Sequence, residues 1–86
     1  MIDAYYKRGV ICMRQKRLCP TKVGHKITLL RNASNTRLND FASQLGVSSS
    51  SLRNWEKGNN LPTLENVVKI CNTFNISIND LILYED

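Results

Sequence analysis

The sequence predicts an all-α fold of five short helices in one small domain, with a basic arm in front of it. Three observations support this prediction. Apolar residues recur three and four positions apart, which is the spacing of one helix face. Gly, Pro and Asn interrupt that spacing where helices would end, and a Ser or Thr precedes four of the apolar runs, where a hydroxyl can cap a helix. The 86 residues leave room for a single modest core, so we assign 1–20 to the arm and 21–86 to the helical domain.

The first predicted helix follows Pro20, which resists continuing any preceding helix. Thr21 can cap it, and a polar run over 32–36 forms the loop after it. Residues 1–20 show no helical periodicity, although a short strand over 10–13 is possible. The inner face of this helix consists of three apolar residues at i, i+4 and i+7: Val23, Ile27 and Leu30.

Two further helices, separated by a tight turn, are predicted over 38–58. Gly46 stands where a chain leaving a helix commonly needs a left-handed residue. Ser48 then offers its hydroxyl to the free N–H groups that open the next helix, which Gly58 ends. Two short helices joined by such a turn form a helix-turn-helix motif. The inner faces of the pair carry Leu38, Phe41, Ala42 and Leu45, followed by Leu52 and Trp55.

The last two helices are predicted after a connection that ends at Pro62. Thr63 is the expected cap of the fourth helix, Asn75 is its expected end, and Ser77 is expected to cap a short fifth helix. The expected inner face of the fourth helix consists of Leu64, Val67, Val68, Cys71 and Phe74. The fifth helix is expected to carry the apolar residues Ile78, Leu81 and Ile82.

The outer face of the third helix has an unusual composition. It presents Ser49, Ser50, Arg53 and Asn54, which are short donors and acceptors plus one guanidinium. An ordinary surface helix would more often carry Glu and Lys paired at i, i+4. The serines also have a simpler explanation, since serine is a good helix cap. We favour a recognition helix whose first half must approach a partner closely.

The positive charge is concentrated at the N-terminus. Residues 1–22 carry six Lys or Arg against one Asp, whereas residues 23–86 carry six basic and six acidic residues. The first 22 residues therefore account for the full net charge of +5, and they form a basic arm on a neutral body. Within the body, basic residues gather around the helix-turn-helix and acidic ones near the C-terminus, so an anionic polymer would be drawn to one side.

Several classes of function are disfavoured by the residues available. The sequence holds one His and three Cys without a C-x-x-C pair, which is too few for a usual zinc site. It offers no Gly-rich phosphate loop and no paired carboxylates for catalysis. We therefore expect no enzyme activity, cofactor, metal or small-molecule ligand. No apolar run is long enough to span a bilayer, and three reduced thiols are consistent with a cytoplasmic protein.

In their order and spacing, these motifs resemble the Cro/phage-repressor type (XRE-like) helix-turn-helix family, which has the lambda-repressor-like fold. The resemblance covers residues 23–83. The matching stretches are KITLLRN, DFASQLGVSSSSLRNWEKG, LPTLENVVKICNTFNIS and INDLI.

The resemblance implies roles for particular residues. It places Arg31 where family members pair an arginine with the glutamate after the recognition helix, here Glu56. The positions that read base edges in the family correspond to Ser49, Ser50 and Asn54, with Arg53 facing either a guanine or a phosphate. The phosphate-contact positions correspond to Arg37, Ser51, Lys57, Asn59 and Asn60. Leu38 departs from the family, since many members place Gln there. It either packs inward or meets a thymine methyl group or a sugar.

Two ends of the chain raise further hypotheses. The arm could wrap DNA or enter its minor groove through Lys7, Arg8, Arg14, Lys16 and Arg17; a solubilising tail or a strand docked on a partner subunit is the alternative. At the other end Ile82, Leu83 and Tyr84 could form a two-fold dimer contact. The alternative there is a C-terminus that folds back onto its own core.

The function that these features favour is sequence-specific binding of double-stranded DNA by a transcriptional regulator. We expect a repressor that binds a near-palindromic operator as a homodimer, with the third helix in the major groove. The alternative is a protein-interaction module or antitoxin-type regulator on the same fold. The polar outer face of the third helix favours DNA, because a protein-binding version would more often present apolar residues there.

Overall fold

A computed structural model describes residues 16–85 as four α-helices and one 3-10 helix. We number the helices α1 (Pro20–Ala33), α2 (Leu38–Leu45), α3 (Ser49–Lys57) and α4 (Leu64–Phe74), and the 3-10 helix spans Ile78–Asp80. Strand-like pairing within 16–85 amounts to one isolated antiparallel bridge, between Leu18 and Tyr84. The strand considered over 10–13 lies outside the described residues.

The start of α1 differs from the sequence-based expectation. The helix begins at Pro20, and the extended residue Cys19 occupies the N-cap position without a side-chain cap. Proline suits the first helical position because its fixed φ is already helical and its missing N–H would have had no partner there. Thr21 is therefore the second residue of the helix, and its expected role as the cap is wrong.

The expected fifth helix is only a 3-10 helix of three residues. Ser77 and Asp80 form a reciprocal capping box at its start. The chain then turns extended, because the backbone after it pairs with the segment before α1. The Cys19 N–H donates to the Leu83 carbonyl oxygen at 2.8 Å, and the Glu85 N–H donates to the Arg17 carbonyl oxygen at 2.9 Å. These bonds replace the ones that a longer helix would have made.

The core is formed by all four helices and closed by Leu81, whose side chain is fully buried. In α4 the buried stripe differs from the expected one. Leu64 and Val68 are exposed, whereas Ile70 is completely buried. The buried apolar side chains within 16–85 are Val23, Ile27, Phe41, Ala42, Leu45, Leu52, Trp55, Val67, Ile70, Cys71 and Leu81.

The helix-turn-helix is held by local bonds of the expected kind. Gly46 is left-handed at φ 74°, and its N–H and that of Val47 return to carbonyl groups of α2. The Ser48 side chain accepts a hydrogen bond from the Ser51 N–H at 3.1 Å, which caps α3. Gly58 ends α3 at φ 82°. The predicted boundaries of this motif are thereby confirmed.

Candidate nucleic-acid interface

The outer edge of α3 carries the four candidate base-reading residues. Leu52 and Trp55 of the same helix are buried, which fixes how α3 is turned about its axis. Ser50 and Arg53 are exposed as a result, and Ser49 and Asn54 are half-buried. A rigidly held helix with a polar outer edge has the shape and the hydrogen-bonding groups that a major groove accepts.

Ser49 is already engaged within the protein. Its Oγ donates to Asn39 Oδ1 at 2.6 Å, which links the start of α3 to α2. Sequence reasoning missed Asn39, because a contact between two helices does not follow from the spacing within either one. Asn39 is itself exposed, so the pair presents two polar side chains at the same place on the surface.

Asn54 has a partner as well. Its Oδ1 accepts a hydrogen bond from Asn59 Nδ2 at 3.4 Å, and the Asn59 N–H donates to the Asn54 carbonyl oxygen at 2.9 Å. The residue expected to read a base and one expected to contact phosphate are thus neighbours. The end of α3 and the loop after it form one continuous polar surface.

The candidate phosphate-contact residues border this surface. Arg37 is the N-cap residue of α2, Lys57 is the last residue of α3, and both are exposed. Asn59 and Asn60 are exposed in the loop after α3. Ser51 differs from them because it is half-buried and its Oγ accepts a hydrogen bond from Ser48 Oγ at 3.0 Å.

Arg31 and Glu56 form a bidentate ion pair between α1 and α3. Arg31 Nε donates to Glu56 Oε2 at 2.7 Å, and Arg31 Nη2 donates to Glu56 Oε1 at 3.0 Å. Arg31 Nη1 also donates to the Thr36 carbonyl oxygen at 2.9 Å. The hydrogen bond to Glu56 raises the pKa of Arg31 above its ordinary value, although partial burial acts in the opposite direction. The guanidinium therefore stays charged, and one side chain joins both helices to the loop before α2.

Leu38 is the first residue of α2 and packs against the core. Of the two alternatives for Leu38, inward packing is the one that the structure has. Arg37, immediately before it, provides the exposed polar group at this edge of the motif.

The two ends of the described chain contact each other. Lys22 Nζ donates to the Tyr84 carbonyl oxygen at 2.9 Å, and Lys16 Nζ lies 5.6 Å from the centre of the Tyr84 ring. Ile82 and Leu83 are half-buried against the core. The C-terminal segment thus folds back onto its own chain. Lys16 and Arg17 of the arm are exposed, whereas Lys7, Arg8 and Arg14 lie outside the described residues.

Two kinds of feature are absent from residues 16–85. No helix there is long and apolar enough to cross a membrane. No group of three or more His, Cys, Asp and Glu side chains in that range could hold a metal ion.

The chain is similar in sequence to known helix-turn-helix proteins. The model of the HTH_3 family, described as helix-turn-helix, matches residues 27–81. The chain is 37% identical over 60 residues to the cryptic phage CTXphi transcriptional repressor RstR of Vibrio cholerae, with 70% of this chain and 54% of that protein covered. It therefore spans about half the length of this relative. It is 36% identical over 62 residues to an uncharacterized HTH-type transcriptional regulator of Methanocaldococcus jannaschii, with 72% of this chain and 94% of that protein covered.

A solved structure shows the same fold. The structure of SinR, a master regulator for biofilm formation crystallised in complex with DNA, superposes with a TM-score of 0.63 at 23% identity. The match covers 69% of this chain and 95% of that one. At this identity the likeness concerns the fold alone.

Proposed function

The chain belongs to the helix-turn-helix family HTH_3, and on that premise we propose that it is a transcriptional regulator that binds double-stranded DNA sequence-specifically. We further propose that it acts as a repressor, with α3 in the major groove and two copies on a near-palindromic operator. One observation carries the proposal: α3 exposes Ser50 and Arg53 while its opposite face is buried in the core.

The chemistry of the side chains suggests which residues contact bases and which contact phosphates. Arg53 can donate two hydrogen bonds to a guanine, and Asn54 can both donate to and accept from an adenine. Ser49 and Ser50 offer hydroxyls that suit several bases. Arg37 and Lys57, which are exposed at the borders of the surface, are the proposed phosphate contacts, and such contacts set the register of the protein without reading sequence.

The proposed mode of action is occlusion of an operator. Support comes from the relative RstR, which is named a transcriptional repressor. The alternative of a protein-binding module is less well supported, because the outer edge of α3 is polar and not apolar. A charged and hydrogen-bonding edge suits a wet, anionic partner such as DNA.

Selection of duplexes from a random pool, followed by binding titrations, tests the proposal. Arg53→Ala should weaken binding to the selected duplex by about 1–3 kcal/mol and relax the sequence preference at one base pair. Lys57→Ala should weaken binding to the selected and the scrambled duplexes equally. It should also lower the slope of log affinity against log salt by about 1. Lys26→Ala, on α1 and outside the proposed surface, is the matched control. Equal affinity of the unaltered protein for selected and scrambled duplexes would reject sequence-specific binding.

A further inference from the structure

Asn39 is an exposed residue of α2 that lies beside the proposed DNA surface. Leu38, the first residue of α2, packs against the core, so Asn39 is the first side chain of this helix that faces outward. Ser49 Oγ, at the start of α3, donates to Asn39 Oδ1 at 2.6 Å. The first residues of a recognition helix are the ones that contact base edges. The bond therefore joins α2 to the part of α3 where a base would be read.

This bond decides which kind of hydrogen bond Ser49 can still make. A serine hydroxyl has one proton to donate and two lone pairs that accept. A serine without a partner can turn its hydroxyl either way, and it then suits several bases. Because the proton of Ser49 is directed at Asn39 Oδ1, this hydroxyl faces a ligand as an acceptor.

Asn39 supplies the complementary group. Its Nδ2 atom carries two N–H donors, and neither is bonded within residues 16–85. Nδ2 and Oδ1 belong to the same amide, so this donor stands beside the oxygen that accepts from Ser49. The two side chains together present one acceptor next to one donor, and the hydrogen bond between them fixes this arrangement before a ligand binds. Groups that are held in their bound conformation lose less entropy on binding.

We propose that Asn39 and Ser49 read one base together and that this base is adenine. The inference deepens the DNA binding proposed above, on which it rests, by adding a residue of α2 and the identity of one base. Adenine is the base whose own major-groove edge places a donor, N6–H, next to an acceptor, N7. Ser49 Oγ accepts from N6, and Asn39 Nδ2 donates to N7.

The other three bases fit the pair less well. Guanine presents two acceptors, N7 and O6, so one of them would face the Ser49 oxygen. Thymine presents one acceptor and a methyl group, and cytosine presents a single donor. A hydrogen-bonding group that loses its water and finds no partner destabilises the complex. The discrimination that a good two-bond contact provides corresponds to roughly 5- to 150-fold in affinity.

Selection of duplexes from a random pool by the unaltered protein, Ser49→Ala and Asn39→Ala tests the inference. The base pair that Ser49 contacts is the one at which Ser49→Ala loses its preference. The unaltered protein should prefer adenine there, and Asn39→Ala should lower that preference about tenfold at the same base pair. Asn72→Ala is the matched control, since Asn72 is an exposed asparagine on α4, and it should keep every preference.

Asn39→Asp separates base reading from a purely structural role. Its carboxylate still accepts the Ser49 proton but has no donor for N7. The preferred base should therefore change from adenine to cytosine, whose edge offers the N4–H donor without N7 beside it. The added negative charge weakens binding to every duplex, so the quantity to compare is the base preference and not the affinity. Loss of structure alone would not exchange one preferred base for another.

An undiminished preference for adenine in Asn39→Ala or in Asn39→Asp would overturn the inference. It would also be overturned if Ser49→Ala lost no preference, or if the unaltered protein preferred another base at the pair that depends on Ser49. In all these cases sequence-specific binding, and with it the proposed function, stands. Equal binding of all duplexes by the unaltered protein would reject the proposed function and this inference with it.

Discussion

Gly24 of α1 lies directly against the carbonyl oxygen of Trp55 in α3, with no room for a side chain between them. A Cβ on Gly24 would collide with that oxygen and would stand 2.9 Å from the Glu56 carbonyl oxygen. Both neighbours are backbone atoms, which cannot rotate out of the way. The absence of a side chain at this one position therefore sets how closely α1 approaches the recognition helix.

Gly24→Ala should lower the free energy of unfolding, although alanine is the better helix former by about 1 kcal/mol. The collision forces the two helices apart, and overpacking of this kind costs about 1–3 kcal/mol. Urea denaturation measures the difference. His25→Ala, at an exposed neighbouring position, is the control and should change stability by less than about 0.5 kcal/mol. A Gly24→Ala protein as stable as the unaltered one would contradict the close approach.

Breaking the Arg31–Glu56 pair should cost about 2 kcal/mol of stability, because both carboxylate oxygens are bonded and the remaining, partly buried charge would lose its partner. Arg31→Ala should therefore weaken folding. Arg31→Lys should recover only part of the loss, because an ammonium lacks the planar fork. Chemical denaturation of Arg31→Ala, Glu56→Ala and the double variant isolates the coupling between them. If Arg31→Ala lowers the free energy of unfolding by less than about 0.5 kcal/mol, the pair does not hold α3 in place.

The basic arm should supply part of the non-specific DNA affinity. Deletion of 1–19 would also remove the backbone pairing of Arg17 and Cys19 with residues 83–85, so charge removal is the cleaner experiment. The variant Lys7→Gln/Arg8→Gln/Arg14→Gln should lower the slope of log affinity against log salt by up to about 2.7, or about 0.9 for each phosphate that is no longer neutralised. Lys26→Gln should leave the slope unchanged. An unchanged slope in the triple variant would show that Lys7, Arg8 and Arg14 neutralise no phosphates.

Stability should fall at alkaline pH through Cys71. Burial, and to a smaller extent the charge of Asp80, raise the pKa of this thiol above its ordinary value of 9.0. As the pH rises, the thiol of the unfolded chain loses its proton first, so the unfolded state gains stability. The contribution is complete below the ordinary pKa and is lost as the pH rises toward the folded-state pKa.

Denaturation of the unaltered protein and of Cys71→Ala between about pH 7 and about pH 10 tests this sign. The difference in unfolding free energy between the two proteins should shrink as the pH rises. Other titrating groups cancel in the comparison because both proteins share them. Parallel curves over the whole range would show that the thiol titrates normally in the folded protein.

Sequence reasoning is most reliable where structure is decided locally. Gly46 and Gly58 are predicted to end their helices, and Ser48 and Thr63 are predicted to cap theirs, because each of these roles depends on a few neighbouring residues. The structure has all four as expected. The same reasoning is wrong at Thr21, because the proline before it already suits the first helical position.

For the candidate site too, sequence reasoning predicts what depends on one helix and misses what depends on two. The residues on the outer edge of α3 follow from the spacing of Leu52 and Trp55, which turns the others outward. The bond between Ser49 and Asn39 does not follow, because its two ends are in different helices.

By itself the sequence determined a helix-turn-helix with a polar outer edge and a concentration of positive charge in residues 1–22, since apolar spacing, capping residues and charge order are all properties of short stretches. Only the tertiary structure decided that Leu64 and Val68 stay exposed while Ile70 is buried, and that the chain after Asp80 pairs with residues 17–19. A helical apolar stripe has edges whose burial depends on which distant residues cover them. A chain end adopts the conformation in which its backbone groups find partners.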